Sequence, residues 1–154
     1  MKKIYLIATA LFSLALSMTS CSKDDAESSN YNIVANAGEA VAKSYTGTWT
    51  RTLGDEVVTS QGTITLAGTD QAHVVKITIA TNSDVALDET TFNANITQRN
   101  DTRFDITVHA SDVFTTSTGF RMIVDNGAIT ACDFIKTVRV GRKTNEYFYN
   151  FKSN

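Results

Sequence analysis

Ser44-Tyr45-Thr46-Gly47-Thr48-Trp49-Thr50-Arg51-Thr52-Leu53 alternates a hydroxyl side chain with a larger or apolar one along its whole length. Threonine is branched at Cβ and stiff at χ1, so it suits the extended backbone better than a helix. Successive strand side chains point to opposite faces, which puts Tyr45, Gly47, Trp49 and Arg51 on one side and the threonines on the other. One face is fit for burial and the other for water. This is a half-buried strand.

The same period of two returns along the chain. It predicts strands over Val57 to Leu66, Ala72 to Thr81, Thr91 to Gln98, Thr102 to Ser111, Phe120 to Val124, Ala128 to Val140 and Tyr147 to Phe151. Turn residues separate them: Gly54-Asp55, Gly68-Thr69-Asp70, Asn82-Ser83-Asp84, Asn100-Asp101, Thr115 to Gly119, Asn126-Gly127 and Gly141 to Asn145. Asn126-Gly127 is the strongest hairpin signal, because both residues tolerate the positive φ of a two-residue turn. Eight short strands with short connections give an all-β fold, an eight-stranded antiparallel up-and-down barrel. Residues 44–154 form this domain.

Upstream the character changes. Lys2 and Lys3 precede an apolar run from Ile4 to Leu16, and small residues then lead to Ser20-Cys21. That is the layout of a secretory signal peptide, residues 1–20. The run is too short to span a bilayer, which takes roughly 20 apolar residues. Met18-Thr19-Ser20-Cys21 resembles a bacterial lipobox, which implies cleavage before Cys21 and its acylation. Ser22-Lys23-Asp24-Asp25 resembles the surface-export signal of bacteroidete-type lipoproteins. The resemblance implies an outer-membrane protein, lipid-anchored and exposed at the cell surface. Residues 21–43 read as the lipidated cysteine and a flexible tether. Apolar Ile33, Ala37, Ala40 and Val41 within it are compatible with one or two helical turns plugging one end of the barrel.

Fourteen Lys and Arg against 16 Asp and Glu leave a formal net charge of −2, with the acidic excess gathered near the tether. A nucleic-acid partner is not expected. If Cys21 is acylated, as the lipobox resemblance implies, Cys132 has no intrachain disulfide partner; it reads as a small core residue beside Phe134.

Gly47-Thr48-Trp49 on the first strand resembles the Gly-x-Trp motif of lipocalins and the wider calycin superfamily. There the tryptophan closes one end of the barrel under a late basic side chain. Arg139, Arg142 and Lys152 are the candidates for that partner here. The resemblance implies a barrel that holds a small hydrophobic ligand.

Other chemistry is thinly represented. His73 shares its parity with Val75, Ile77 and Ile79 and is expected to lean inward. His109 is expected to point outward, so the two are not expected to converge on a metal. Asp84, Asp88 and Glu89 share a loop but lack the spacing of a calcium loop. Asp133 is expected to point away from Phe134. No nucleophile elbow, phosphate loop or zinc spacing is present, so neither an enzyme nor a cofactor is expected. Tyr45, Phe92, Phe104, Phe120 and Phe134 are expected inside, with either Tyr147, Tyr149 and Phe151, or Phe148. They either fill the barrel or leave room for one small apolar ligand. The expected function is a surface-tethered binding protein for such a ligand. The alternative is a filled-barrel interaction or structural subunit of a surface complex.

Overall fold

In the computed structural model, which describes residues 30–81, 85, 87–108 and 119–154, the period-two segments close on themselves. The strands are β1 (Lys43–Leu53), β2 (Glu56–Gly68), β3 (Val74–Thr81), β4 (Thr90–Gln98), β5 (Arg103–Val108), β6 (Phe120–Asp125), β7 (Ala128–Val140) and β8 (Lys143–Ser153). Each pairs antiparallel with its neighbour in sequence, and β8 returns to β1. The fold is a closed eight-stranded up-and-down barrel. Closure pairs every strand on both sides and so leaves no sheet edge.

The turns follow from glycine and asparagine. Asn126 and Gly127 both have positive φ (50° and 72°) and join Asp125 to its partner Ala128 in a two-residue hairpin. Gly54 (φ 58°) and Gly141 (φ 63°) do the same work at the start of the β1–β2 and β7–β8 turns. One register shift interrupts the wall, where Ile123 pairs Ala131 but Val124 pairs Ile129. The bulge lets Ile129 and Cys132 both face inward despite their odd spacing.

Some expectations change. β3 starts at Val74, so His73 lies in the preceding turn and is exposed. β8 begins at Lys143, four residues before the predicted Tyr147, because the β7–β8 turn is only Gly141-Arg142. Residues 31–42, read as tether, are docked on the barrel. The Tyr31 hydroxyl donates to the Gln98 carbonyl (2.9 Å), and the Val34 amide donates to Gln98 Oε1 (2.9 Å). The Ala37 amide donates to the Ala72 carbonyl (3.0 Å). One helical turn, α1 (Ala37–Ala40), is capped by the Asn36 side chain, which accepts from the Glu39 amide (3.1 Å). It puts Ala37, followed by Val41, into the core, while Ile33 is 72% exposed. This segment plugs the end at which β1 begins, here the entry end. The far end receives Val85 and Leu87 from the β3–β4 connection, both buried.

The core runs between these plugs. Ile64, Val75, Ile77, Ile79 and Ile106 are fully buried on inward parity, as are Trp49, Phe120, Phe151 and Tyr149 within a few per cent. Phe148 is half-exposed on the outer wall, so Tyr149 and Phe151, with the part-buried Tyr147, supply the inward aromatics of β8.

Candidate functional site

Gly47 and Trp49 hold the inner seam of the barrel, and their roles are steric. A Cβ on Gly47 would stand 2.2 Å from the Lys152 carbonyl oxygen and 2.7 Å from Phe151 Cζ. Its direct partner on β2 is Gly62, where a Cβ would meet Trp49 Cδ1 at 2.5 Å. One glycine admits the Phe151 ring against β1; the other leaves a seat for the indole. Strand glycines marking close approach are a general feature. Gly62 was visible in the sequence as a glycine within a strand, but its partnership with Trp49 required the register.

The indole sits in a ring cluster. Its centroid lies 4.9 Å from Phe151 and 5.9 Å from Phe134; Phe134 in turn stacks on Tyr149 at 4.9 Å and meets Phe120 at 5.8 Å. Such contacts add about 0.5–1.5 kcal/mol each beyond the area they bury. The Tyr149 hydroxyl donates to the Val85 carbonyl (3.0 Å), tying the far-end plug to the cluster. Burial pushes this hydroxyl above its ordinary pKa, with Arg51 pulling the other way.

No late basic side chain takes the expected place on Trp49: Arg139, Arg142 and Lys152 are all exposed. Among the described residues the most buried cation is Arg51, from β1 itself. Its guanidinium pairs with Glu56 and lies over the Tyr147 ring, 5.3 Å from the centroid. A basic residue two positions past the tryptophan shares its face, which the parity of the first strand already implied. Trp49 Nε1 and Arg51 Nε are buried with no hydrogen-bond partner among the described residues.

Cys132 is fully buried beside these rings, and burial, then the Asp133 charge, drive its thiol far above the ordinary range. It is packing, not a nucleophile. Asp88 and Glu89 are exposed, and Asp88 lies 3.9 Å from Lys136. Cys21, Ser22, Lys23, Asp24, Asp25, Asp84 and His109 fall outside the described residues.

The outer face of the same strands carries a groove of about 480 Å³. Pairing aligns its lining in two rows. Thr52, Phe148 and Ile135 are direct neighbours across β1, β8 and β7, and Val57 extends the row onto β2. One step of two residues away run Thr50, Asn150, Asp133 and Arg121 across β1, β8, β7 and β6. One row is largely apolar, the other fully polar. Asp133 points outward, opposite to Phe134, as its parity predicts. A second cleft, about 310 Å³, lies between the docked segment and β4 and is lined in part by Tyr31, Ile33, His73 and Asn95.

Comparison of the chain with protein-family models, curated proteins and solved structures gives no match.

Proposed function

We propose that the chain is a lipid-anchored, cell-surface barrel that acts as a non-enzymatic interaction module through its outer wall, its interior serving as packing. The observation that carries this reading is the ring cluster of Trp49, Phe134, Phe151, Tyr149 and Phe120. Its centroid spacings of 4.9 to 5.9 Å are those of mutually packed aromatics. Tightly filled interiors are stable because each void forfeits contacts. The calycin-type resemblance of Gly47-Thr48-Trp49 then concerns barrel closure more than cargo.

Anchoring rests on Ser20-Cys21 and on the polar residues Ser22 to Asp25. Eight residues separate Cys21 from Asn30, and the nine steps between them reach at most about 30 Å. The docked segment enters at the entry end, so the bilayer faces that end and the groove rides on the wall above it. Changing Cys21 to Ala is expected to abolish acyl labelling and release the protein from membranes; unchanged labelling would end the lipoprotein reading.

Trp49 is the sole tryptophan and reports directly on the interior. Titration with a panel of lipophilic probes is expected to leave its emission unchanged. Saturable one-to-one quenching would overturn the filled-interior reading. A second reading would then stand, in which a small, mostly apolar ligand enters with one hydrogen-bond acceptor. The unpartnered Trp49 Nε1 and Arg51 Nε favour it, since buried donors without partners cost about 1–3 kcal/mol each.

A further inference from the structure

We infer that the outer groove over β6, β7, β8 and β1 is a binding site for a neutral sugar, one or two pyranose rings of a glycan. The inference rests on the outer-wall reading and names its ligand.

Charge comes first. Arg121 and Asp133 are directly paired across β6 and β7 on the outer face, so their charges cancel and the groove favours neither anion nor cation. Among the described residues they are not joined by an ion pair, although they stand opposite one another. Each is left with hydrogen-bonding capacity toward the groove. Asn150 donates its Nδ2 to the Cys132 carbonyl (3.2 Å), which fixes the amide and leaves Oδ1 as an acceptor. The Thr50 hydroxyl completes a row of four groups, spread over four strands, that together offer donors (Arg121, Thr50) and acceptors (Asp133, Asn150 Oδ1, Thr50). A partner matching that row carries several hydroxyls and no net charge.

The other row sets the partner's second face. Phe148 is 50% exposed, and Ile135 lies beside it on β7. The two rows are two residues apart along the strands, about 6.6–6.8 Å. A pyranose ring presents an apolar C–H face and an edge of hydroxyls over that same scale. A fatty chain would leave the polar row unmatched. A protein partner needs on the order of 1,000 Å² of contact, more than a groove this size offers. The volume of about 480 Å³ lies within the range of small-ligand sites.

The test is binding of the purified chain to a printed array of neutral, uronic-acid and sulfated glycans, followed by titration of the best hit. Binding to neutral glycans is expected. Phe148→Ala is expected to weaken it by about tenfold or more, as is Asp133→Ala combined with Asn150→Ala. Thr91→Ala, on the outer wall away from the groove, should leave it unchanged. Thermal melting of each variant shows that the fold is kept; should the double variant melt early, Arg121→Gln replaces it. No glycan bound, binding to charged glycans alone, or binding indifferent to these substitutions would each overturn the inference. None of those outcomes touches the filled-interior reading, which is judged from Trp49 emission.

Discussion

The strands β7, β8 and β1 present two faces that obey different rules. Inward, Phe134, Tyr149, Phe151 and Trp49 meet ring to ring, and two glycines are needed to fit them. Outward, Ile135, Phe148, Thr52 and Thr50 stand in rows that touch solvent. The contrast extends around the wall. On β1 to β4 outward polar side chains satisfy one another: the hydroxyls of Ser44 with Thr65 (2.9 Å) and Thr78 with Thr91 (3.0 Å), and the Thr48 hydroxyl accepting from the Gln61 amide (2.9 Å). Such cross-strand pairs stabilise a sheet. Around the groove, among the described residues, no such side-chain pair joins Thr50, Asp133 and Arg121, and Asn150 bonds to the Cys132 carbonyl. Polar residues that bond each other hold a wall together, and those that do not are free to hold something else.

That comparison can be broken at several points. Trp49→Ala should have the largest effect, a loss of about 3–5 kcal/mol on urea unfolding, because a fully buried ring leaves a cavity. Gly47→Ala should cost about 1–3 kcal/mol, since its new Cβ meets the Lys152 backbone and cannot be accommodated by a side-chain rotation. Tyr149→Phe should cost about 1 kcal/mol and loosen the far-end plug, seen as faster amide exchange around Val85. A smaller effect should follow pH. Burial raises the Asp105 carboxyl, but hydrogen bonds from Arg99 and Arg103 more than offset this, and the net shift is downward. The folded value lies below the unfolded one of about 3.9, so this stabilisation is present above it and is lost as pH falls through the folded value. With the group partly exposed, the loss should be well under about 1 kcal/mol and absent in Asp105→Asn. Phe148→Ala should shift stability least, within about 0.5 kcal/mol. A Phe148→Ala cost near that of Trp49→Ala would erase the distinction between the faces.

How much of this was legible depended on whether a residue's role shows in its own alternation. The strands and the Asn126-Gly127 hairpin did, because inward apolar and outward polar residues must alternate in a half-buried sheet. Lys143 to Glu146 did not: at the rim they pair with β7 with little core beneath them, so no apolar period marks them. Residues 31–34 dock mainly through backbone groups and the Gln98 amide, contacts that carry no hydrophobic pattern. His73 was misjudged because the strand expected from Ala72 begins two residues later, at Val74. The groove was least legible, since Phe148, Asn150, Asp133 and Arg121 become neighbours only once register is fixed across two pairings.

Closure at Gly47 also sets how the molecule fails. The β1–β8 seam is held by the six pairs from Gly47–Ser153 to Thr52–Phe148. Opening it would free two strands of 11 residues each, with Arg51 the one charge between Ser44 and Leu53. β8 carries Lys143, Glu146 and Lys152, but long unpaired edges of this kind still recruit other chains. A damaged seam is therefore a route to strand-swapped oligomers and fibrils, so soluble yield should fall ahead of helical or barrel content in any variant that crowds Gly47.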